Sequence, residues 1–256
     1  MIQKGFVKDG GQFWYYEMYK AEQINNLPTI VLLHEGLGST AQWKNWPKLL
    51  QEKLQMNILV YDRTGYGKSA PVPENYPFDY LRFEAKYVLP KILNQLAINT
   101  AHLFGHSDGS TISLLAAAYH PEKINSVISE AAHVIIEEVS VKGIRETRKI
   151  YNQKLKRPLR KYHSDKTDWV FYHWADTWIK PQFKDWNMIE ELQKIQCPVL
   201  AIQGRQDQYG SYEQLKVIQE NCQSKLLYLE NCGHHPHFEH AETILMESES
   251  FLYSAK

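Results

Sequence analysis

The sequence predicts an α/β fold, with a mostly parallel central sheet flanked by helices and interrupted by one helical insertion. Three observations predict it. Short continuous apolar runs rich in branched residues recur along the chain, as in strands buried on both faces. Between them lie segments with apolar residues near helical spacing, so that strands alternate with helices as crossover connections require. Between residues 133 and 191 the strand-like runs stop and only helical patterns remain.

The elements follow in order. Ile2–Val7 and Gln12–Tyr19 read as strands joined by a hairpin turn at Asp9-Gly10-Gly11. Thr29–Leu33, Ile58–Tyr61, His102–Phe104, Val127–Ser129, Val199–Ile202 and Leu226–Leu229 read as strands of the parallel sheet. Ala41–Leu54, Tyr80–Leu96, Ser110–Tyr119, Tyr212–Glu220 and His240–Leu252 read as helices, with Ser110–Tyr119 small, apolar and therefore buried. The expected division is a core of residues 1–132 and 192–256 and a helical cap of residues 133–191. From Tyr151 to Trp186, nine of 36 residues are Phe, Trp or Tyr, twice the chain's 12%. These aromatics serve a small core of the insertion, a pocket lining, or both.

Composition narrows the function. The chain has 256 residues, 43% hydrophobic and 23% charged, which argues against disorder. Lys+Arg and Asp+Glu each number 29, so no global field favours nucleic acid or anionic lipid. The start, MIQKGFVKDG, lacks an apolar stretch of signal-peptide length, and no segment reaches the ~18–20 apolar residues of a membrane span. Cys197, Cys222 and Cys232 are odd in number and form no C-x-x-C pair, which points to a reducing compartment. The expectation is a cytoplasmic protein with no nucleic-acid or membrane partner. A homodimer is left open.

The strongest chemical signal is Gly105-His106-Ser107-Asp108-Gly109, between an apolar run and a small-residue helix. A sharp strand-to-helix turn needs glycine where no side chain fits, and it lifts a serine hydroxyl to the carboxyl end of the sheet. The Asp108 N–H would then stand at a helix N-terminus, suited to a developing oxyanion. A serine nucleophile needs a base, and the base an orienting acid. Asp207 lies just beyond Val199–Ile202, and His234 just beyond Leu226–Leu229, so both fall on the rim expected for Ser107. Glu130, ending Val127–Ser129, is a rival acid. His234 is preferred to His235 because Gly233 before it permits a tight turn. Gly36 in His34-Glu35-Gly36-Leu37-Gly38-Ser39 is the favoured second oxyanion donor, with Leu37 next. Cys232, two residues from His234, reads as a buried inert thiol.

Two patterns are set aside. His235-Pro-His237-Phe-Glu239-His240 imitates a metallo-hydrolase run, but it lacks distant partners with suitable spacing, so no metal is expected. His237 and His240 read instead as surface residues at a helix start. Gly65-Tyr-Gly67-Lys68-Ser69 ends like a phosphate-binding loop, yet Asp62 stands where its first glycine belongs, so the loop reads as structural and no cofactor is expected.

Over essentially its whole length the chain resembles the α/β-hydrolase superfamily. The matching pieces are His34–Ser39, Asp62-Arg63-Thr64-Gly65-Tyr66-Gly67-Lys68-Ser69, the turn at Ser107, Gln203–Asp207, and Gly233-His234-His235-Pro236-His237-Phe238-Glu239. The resemblance implies a serine hydrolase with Ser107 as nucleophile, His234 as base and Asp207 as acid. Within the superfamily, Ser107-Asp108-Gly109 and Ile144–Leu159 are similar to the valacyclovir hydrolase-like esterases. That likeness implies a substrate amino group met by Asp108, with Glu35 adding negative potential. The plainer reading pairs Asp108 with a nearby Arg or Lys. His133 and Trp174 complete the expected substrate contacts. Two positions depart from the family: Glu35 stands where a glycine is usual, and Thr64 where an arginine is usual. The expected reaction is hydrolysis of a small carboxylic ester. Carbon–carbon bond hydrolysis of the meta-cleavage type and non-catalytic ligand binding are the alternatives.

Overall fold

The computed structural model describes residues 1–21 and 28–254. Strands β1 (Ile2–Asp9) and β2 (Gln12–Tyr19) form the expected antiparallel hairpin. Six further strands follow: β3 (Thr29–Leu33), β4 (Asn57–Tyr61), β5 (Ala101–His106), β6 (Ile124–Glu130), β7 (Val199–Gly204) and β8 (Ser224–Leu229). They build one eight-stranded sheet in the order β1-β2-β4-β3-β5-β6-β7-β8. All pairings beyond β2–β4 are parallel. The apolar runs are continuous because both faces are covered. Ile30 and Leu32 of β3 face one cluster, and Val31 and Leu33 face the other, as the two-residue strand period dictates.

The first face is covered by α1 (Trp46–Leu54) together with the C-terminal helix named below. The expected helix from Ala41 is divided: a short 3₁₀ turn, Thr40–Trp43, ends at Lys44, whose φ of 53° lies in the left-handed region and stops the helix. On the other face lie α2 (Tyr80–Phe83), a π-helical turn Glu84–Val88, and α3 (Leu89–Gln95). The π turn sits where Pro90, lacking an N–H, cannot continue regular bonding. Helix α4 (Asp108–Tyr119) is buried on every side but its last residue, which accounts for its Ser, Ala and Gly content.

Between β6 and β7 come α5 (Glu138–Ile150), α6 (Lys156–His163), α7 (Thr167–Ile179) and α8 (Ile189–Leu192). Their aromatics do both jobs left open by the sequence. Tyr151 and Phe171 stack at 3.8 Å within the helices, while Trp174 and Trp178 line a cavity described below. The buried side chains of this segment are continuous with the sheet's own core. The chain ends with α9 (Tyr212–Asn221), α10 (Pro236–Glu239) and α11 (Ala241–Ser254), the last of which packs beside α1. No described helix is long and apolar enough to cross a membrane.

Candidate active site

Ser107 is the residue between β5 and α4, and its backbone is forced to φ 54°, ψ −119°. The flanking glycines make this possible by close approach. A Cβ at Gly105 would lie 2.3 Å from the Gly109 carbonyl oxygen, and one at Gly109 would lie 1.9 Å from that of Leu33. The turn is tied to the neighbouring strand through the Ser107 N–H, which donates to the Glu130 carbonyl at 2.9 Å.

The loops after β7 and β8 are laced together. The Gln206 N–H donates to the Cys232 carbonyl, and the Cys232 N–H donates to Gln206 Oε1, both at 2.8 Å. This brings Asp207 and His234 to Ser107. Asp207 Oδ2 stands 2.7 Å from His234 Nδ1, and His234 Nε2 stands 3.0 Å from Ser107 Oγ. With the Nδ1 proton held by the carboxylate, Nε2 is free to accept the serine proton. Asp207 also accepts from Gln203 Nε2 at 2.7 Å and from the Tyr209 N–H at 2.8 Å. The His234 carbonyl accepts from His106 Nε2 at 2.6 Å.

The electrostatics follow from this geometry. Burial disfavours charge on both partners, but each offsets it for the other. The Asp207 carboxylate raises the His234 pKa above 6.5, and His234 with the Tyr209 N–H holds the Asp207 carboxyl below its ordinary 3.8. His133 is different: burial and the nearby His234 lower its pKa, and its Nε2 donates to the Tyr209 carbonyl at 3.0 Å. Burial pushes the Cys232 thiol up to about 12, well away from reactivity.

A cavity of about 280 Å³ opens over Ser107. Glu35, Asp108, His133 and Trp174, the four expected substrate contacts, all line it, and Trp178, Ile144 and Leu159 add apolar wall. Leu37 also lines it, and Gly36 packs against the Trp174 ring, so close that a Cβ there would fall 2.2 Å from Trp174 Cδ1. Neither the Gly36 nor the Leu37 N–H has an acceptor among the described residues. A second cavity, of about 420 Å³, shares the walls Glu35 and His235 but does not reach Ser107.

Asp108 is buried and its carboxylate is already engaged. Trp178 Nε1 donates to Oδ1 at 3.2 Å, Tyr80 Oη donates to Oδ2, and Arg63 Nη2 lies 3.5 Å from Oδ2. The Arg pairing anticipated as the plainer reading is therefore present. Asp62 is used in the fold, its two oxygens accepting from the N–H groups of Thr40 (2.6 Å) and Lys68 (2.8 Å).

Three expectations need correction. Glu130 does not reach His234; its Oε2 pairs with His237 Nδ1 at 2.6 Å. His237 is therefore not a surface residue but is 2% exposed, packed by Trp43 and Trp46. Gly233 is not the left-handed residue of the His234 turn. Asn231 is, at φ 53°, while the Gly233 N–H is capped by Glu239 Oε2 at 2.7 Å. Sequence reasoning also missed the roles of Gln203 and Tyr209, which lie four and two residues from Asp207 and bond it within its own loop, and of Tyr80 and Arg63, whose contacts with Asp108 join residues 28 and 45 positions apart and leave no local spacing to find. Among the described residues no group of three or more His, Cys, Asp or Glu could hold a metal ion.

Comparison with known proteins agrees with this architecture. A family profile described as alpha/beta hydrolase fold matches residues 28–143. The chain is 27% identical over 234 residues to serine hydrolase BPHL of Homo sapiens, covering 87% of this chain and 78% of that protein. It is also 27% identical to a proline iminopeptidase of Lactobacillus crispatus (strain ST1), covering 80% and 83%. Among solved structures it is similar to MGS-M2, an alpha/beta hydrolase enzyme from a Medee basin deep-sea metagenome library, with a TM-score of 0.79, 20% identity and 97% of each chain covered. It is similar too to a 2-hydroxy-6-oxo-6-phenylhexa-2,4-dienoate hydrolase of Rhodococcus sp. strain RHA1, with a TM-score of 0.80, 17% identity, and 95% and 96% covered.

Proposed function

We propose that this chain, whose fold is that of the α/β hydrolases, is a serine hydrolase that cleaves small carboxylic esters through an acyl-enzyme on Ser107. The observation that carries the reading is the unbroken line from the Asp207 carboxylate through His234 to the Ser107 hydroxyl, at 2.7 and 3.0 Å. His234 Nε2 takes the Ser107 proton as Oγ attacks the ester carbonyl. The oxyanion is met by the N–H groups of Asp108 and Gly36, with Leu37 the alternative donor. His234 then gives its proton to the departing alcohol. Water repeats the sequence on the acyl-enzyme and releases the acid and free Ser107. Asp207 keeps the imidazole in the working tautomer and stabilises its protonated form.

In this reading residues 133–191 form a cap. Its Ile144, Leu159, Trp174 and Trp178 wall the cavity opposite Ser107 and exclude water from the acyl group. Two carboxylates, Glu35 and Asp108, line the same cavity, while Arg63, the cation paired with Asp108, does not. That balance disfavours the anionic acids that carbon–carbon bond hydrolases take, and it favours neutral or amino-bearing esters. Three free thiols support a cytoplasmic setting.

The test is labelling with a fluorophosphonate, followed by chromogenic esters of varied acyl length. The expected outcome is stoichiometric modification of Ser107 and turnover of short esters. An intact, folded protein that neither labels nor hydrolyses any of them would overturn the reading. Matched esters with and without an α-amino group then address charge preference, and equal kcat/KM would remove it.

A further inference from the structure

Arg63 is fully buried in the turn after β4, and its contacts are not those of a simple ion pair. Its guanidinium meets Asp108 through Nη2 alone, at 3.5 Å, rather than by the two-pronged pairing that gives the strongest bond. Its shorter contact is elsewhere: Nη2 donates to the Glu35 carbonyl at 2.7 Å. Nε and Nη1 have no acceptor among the described residues, and the guanidinium lies over the Tyr66 ring, 4.4 Å from its centre. A group kept only to neutralise Asp108 would not leave two donors idle to reach a carbonyl.

That carbonyl is unusually well held. The Arg63 N–H donates to His34 Nε2 at 3.0 Å, which leaves the ring proton on Nδ1, and Nδ1 donates to the same Glu35 oxygen at 2.8 Å. The Gly38 N–H adds a third donor at 3.1 Å. The Arg63 side chain supplies the shortest of the three, and its main-chain N–H sets the tautomer of the second. A peptide unit is planar and trans, so its C=O and N–H point in opposite directions. Fixing the Glu35 oxygen therefore fixes the Gly36 N–H, which has no acceptor within the described protein. Thr64, in the position where the family's arginine is usual, instead accepts from Trp14 Nε1 at 2.9 Å.

We propose that Arg63 is a positioning residue for oxyanion stabilisation: it locks the Glu35–Gly36 peptide so that the Gly36 N–H faces the reacting carbonyl, and it ties that loop to Asp108, the bearer of the second donor. The inference rests on the serine-hydrolase reading above. It assigns Arg63 no contact with substrate.

The experiment uses Arg63→Met and Arg63→Lys with a short chromogenic ester and an aryl trifluoromethyl ketone, whose adduct on serine carries an oxyanion. Losing one oxyanion donor typically costs about 10²–10³ in kcat, and misaiming one should cost the lower part of that range. The expected result for Arg63→Met is kcat down by about 10²-fold, with KM within about threefold and ketone affinity weakened in parallel. Arg63→Lys keeps the charge but loses the planar fork, and it should retain most of the defect. The pair Arg63→Met/Asp108→Asn removes both charges and should stay as slow as Arg63→Met. If Arg63→Met does not fold, Arg63→Lys decides by the same two measurements. A near-normal kcat in a folded variant, a kcat loss without loss of ketone affinity, or recovery in the double variant would each overturn the inference. Failure of the wild-type protein to label at Ser107 would instead sink the underlying reading.

Discussion

Two histidine–carboxylate pairs lie within a few residues of each other at the same end of the sheet. His234 meets Asp207 at 2.7 Å and His237 meets Glu130 at 2.6 Å, and all four side chains are almost wholly buried. They differ in what the far side of the ring finds. His234 Nε2 finds the Ser107 hydroxyl at 3.0 Å, at the floor of a cavity walled by apolar side chains. His237 Nε2 finds no hydrogen-bond partner among the described residues, and the ring packs with its centre 4.9 Å from Trp43 and 5.6 Å from Trp46. A buried dyad is therefore not by itself a mark of chemistry. The third group decides, because only a nucleophile on the far nitrogen turns an oriented imidazole into a base.

The largest expected effect removes that third group. Ser107→Ala should lower kcat by roughly 10⁶-fold, since members of such a unit lose activity together rather than additively. Retained turnover in rigorously purified protein would erase the distinction between the pairs. Next, the two acids should part company. Asp207→Asn should cost about 10⁴-fold in kcat by destabilising the working tautomer. Glu130→Leu should leave kcat within about tenfold yet lower stability by about 1–3 kcal/mol, because the His237 Nδ1 proton is left buried without an acceptor. Denaturant melts beside steady-state kinetics separate the outcomes, and a catalytic collapse in Glu130→Leu with an unchanged melt would reverse the two roles.

A third effect is read from pH. The base must be neutral to act, and the Asp207 carboxylate raises the His234 pKa above 6.5 against the opposing effect of burial. kcat/KM should therefore fall as pH drops through a midpoint above 6.5, about tenfold per unit beyond it. In Asp207→Asn the supporting charge is gone while burial remains, so the same limb should move to lower pH, on top of the lowered plateau. A limb that stays in place would mean that another group is titrating.

These contrasts also show what a sequence can reveal. The strands of the parallel sheet were legible because a run such as Ile30–Leu33 is apolar at every position only when both faces are covered. Ser107 was legible because Gly105 and Gly109 are there for steric reasons that leave a local trace. That Asp207 and His234 reach the same rim followed from strand direction alone. The pairing of Glu130 with His237 was not legible, since it joins residues 107 positions apart with no periodicity linking them. Nor was the use of Asn231 rather than Gly233 at the left-handed turn, where a polar residue took the place expected of glycine. Arg63 escaped notice for a third reason: its partner is a main-chain carbonyl, which carries no side-chain identity to search for.

The smallest effect concerns Glu35, which lines both cavities and so stands on the boundary between the two regions. Its side chain is partly exposed, so solvent screens its charge and a contribution of about 0.5–1 kcal/mol is all that such a position sustains. Glu35→Gln keeps the shape of the side chain and removes only the charge. It should lower kcat/KM for an α-amino ester by about two- to fivefold and leave the matched neutral ester unchanged, with the difference shrinking as ionic strength rises past the range where surface charges are screened. An equal drop for both esters, insensitive to salt, would mean that Glu35 acts through the geometry of the loop carrying Gly36 rather than through its field. The charge preference would then belong to Asp108 alone, with Arg63 already beside it to cancel most of it.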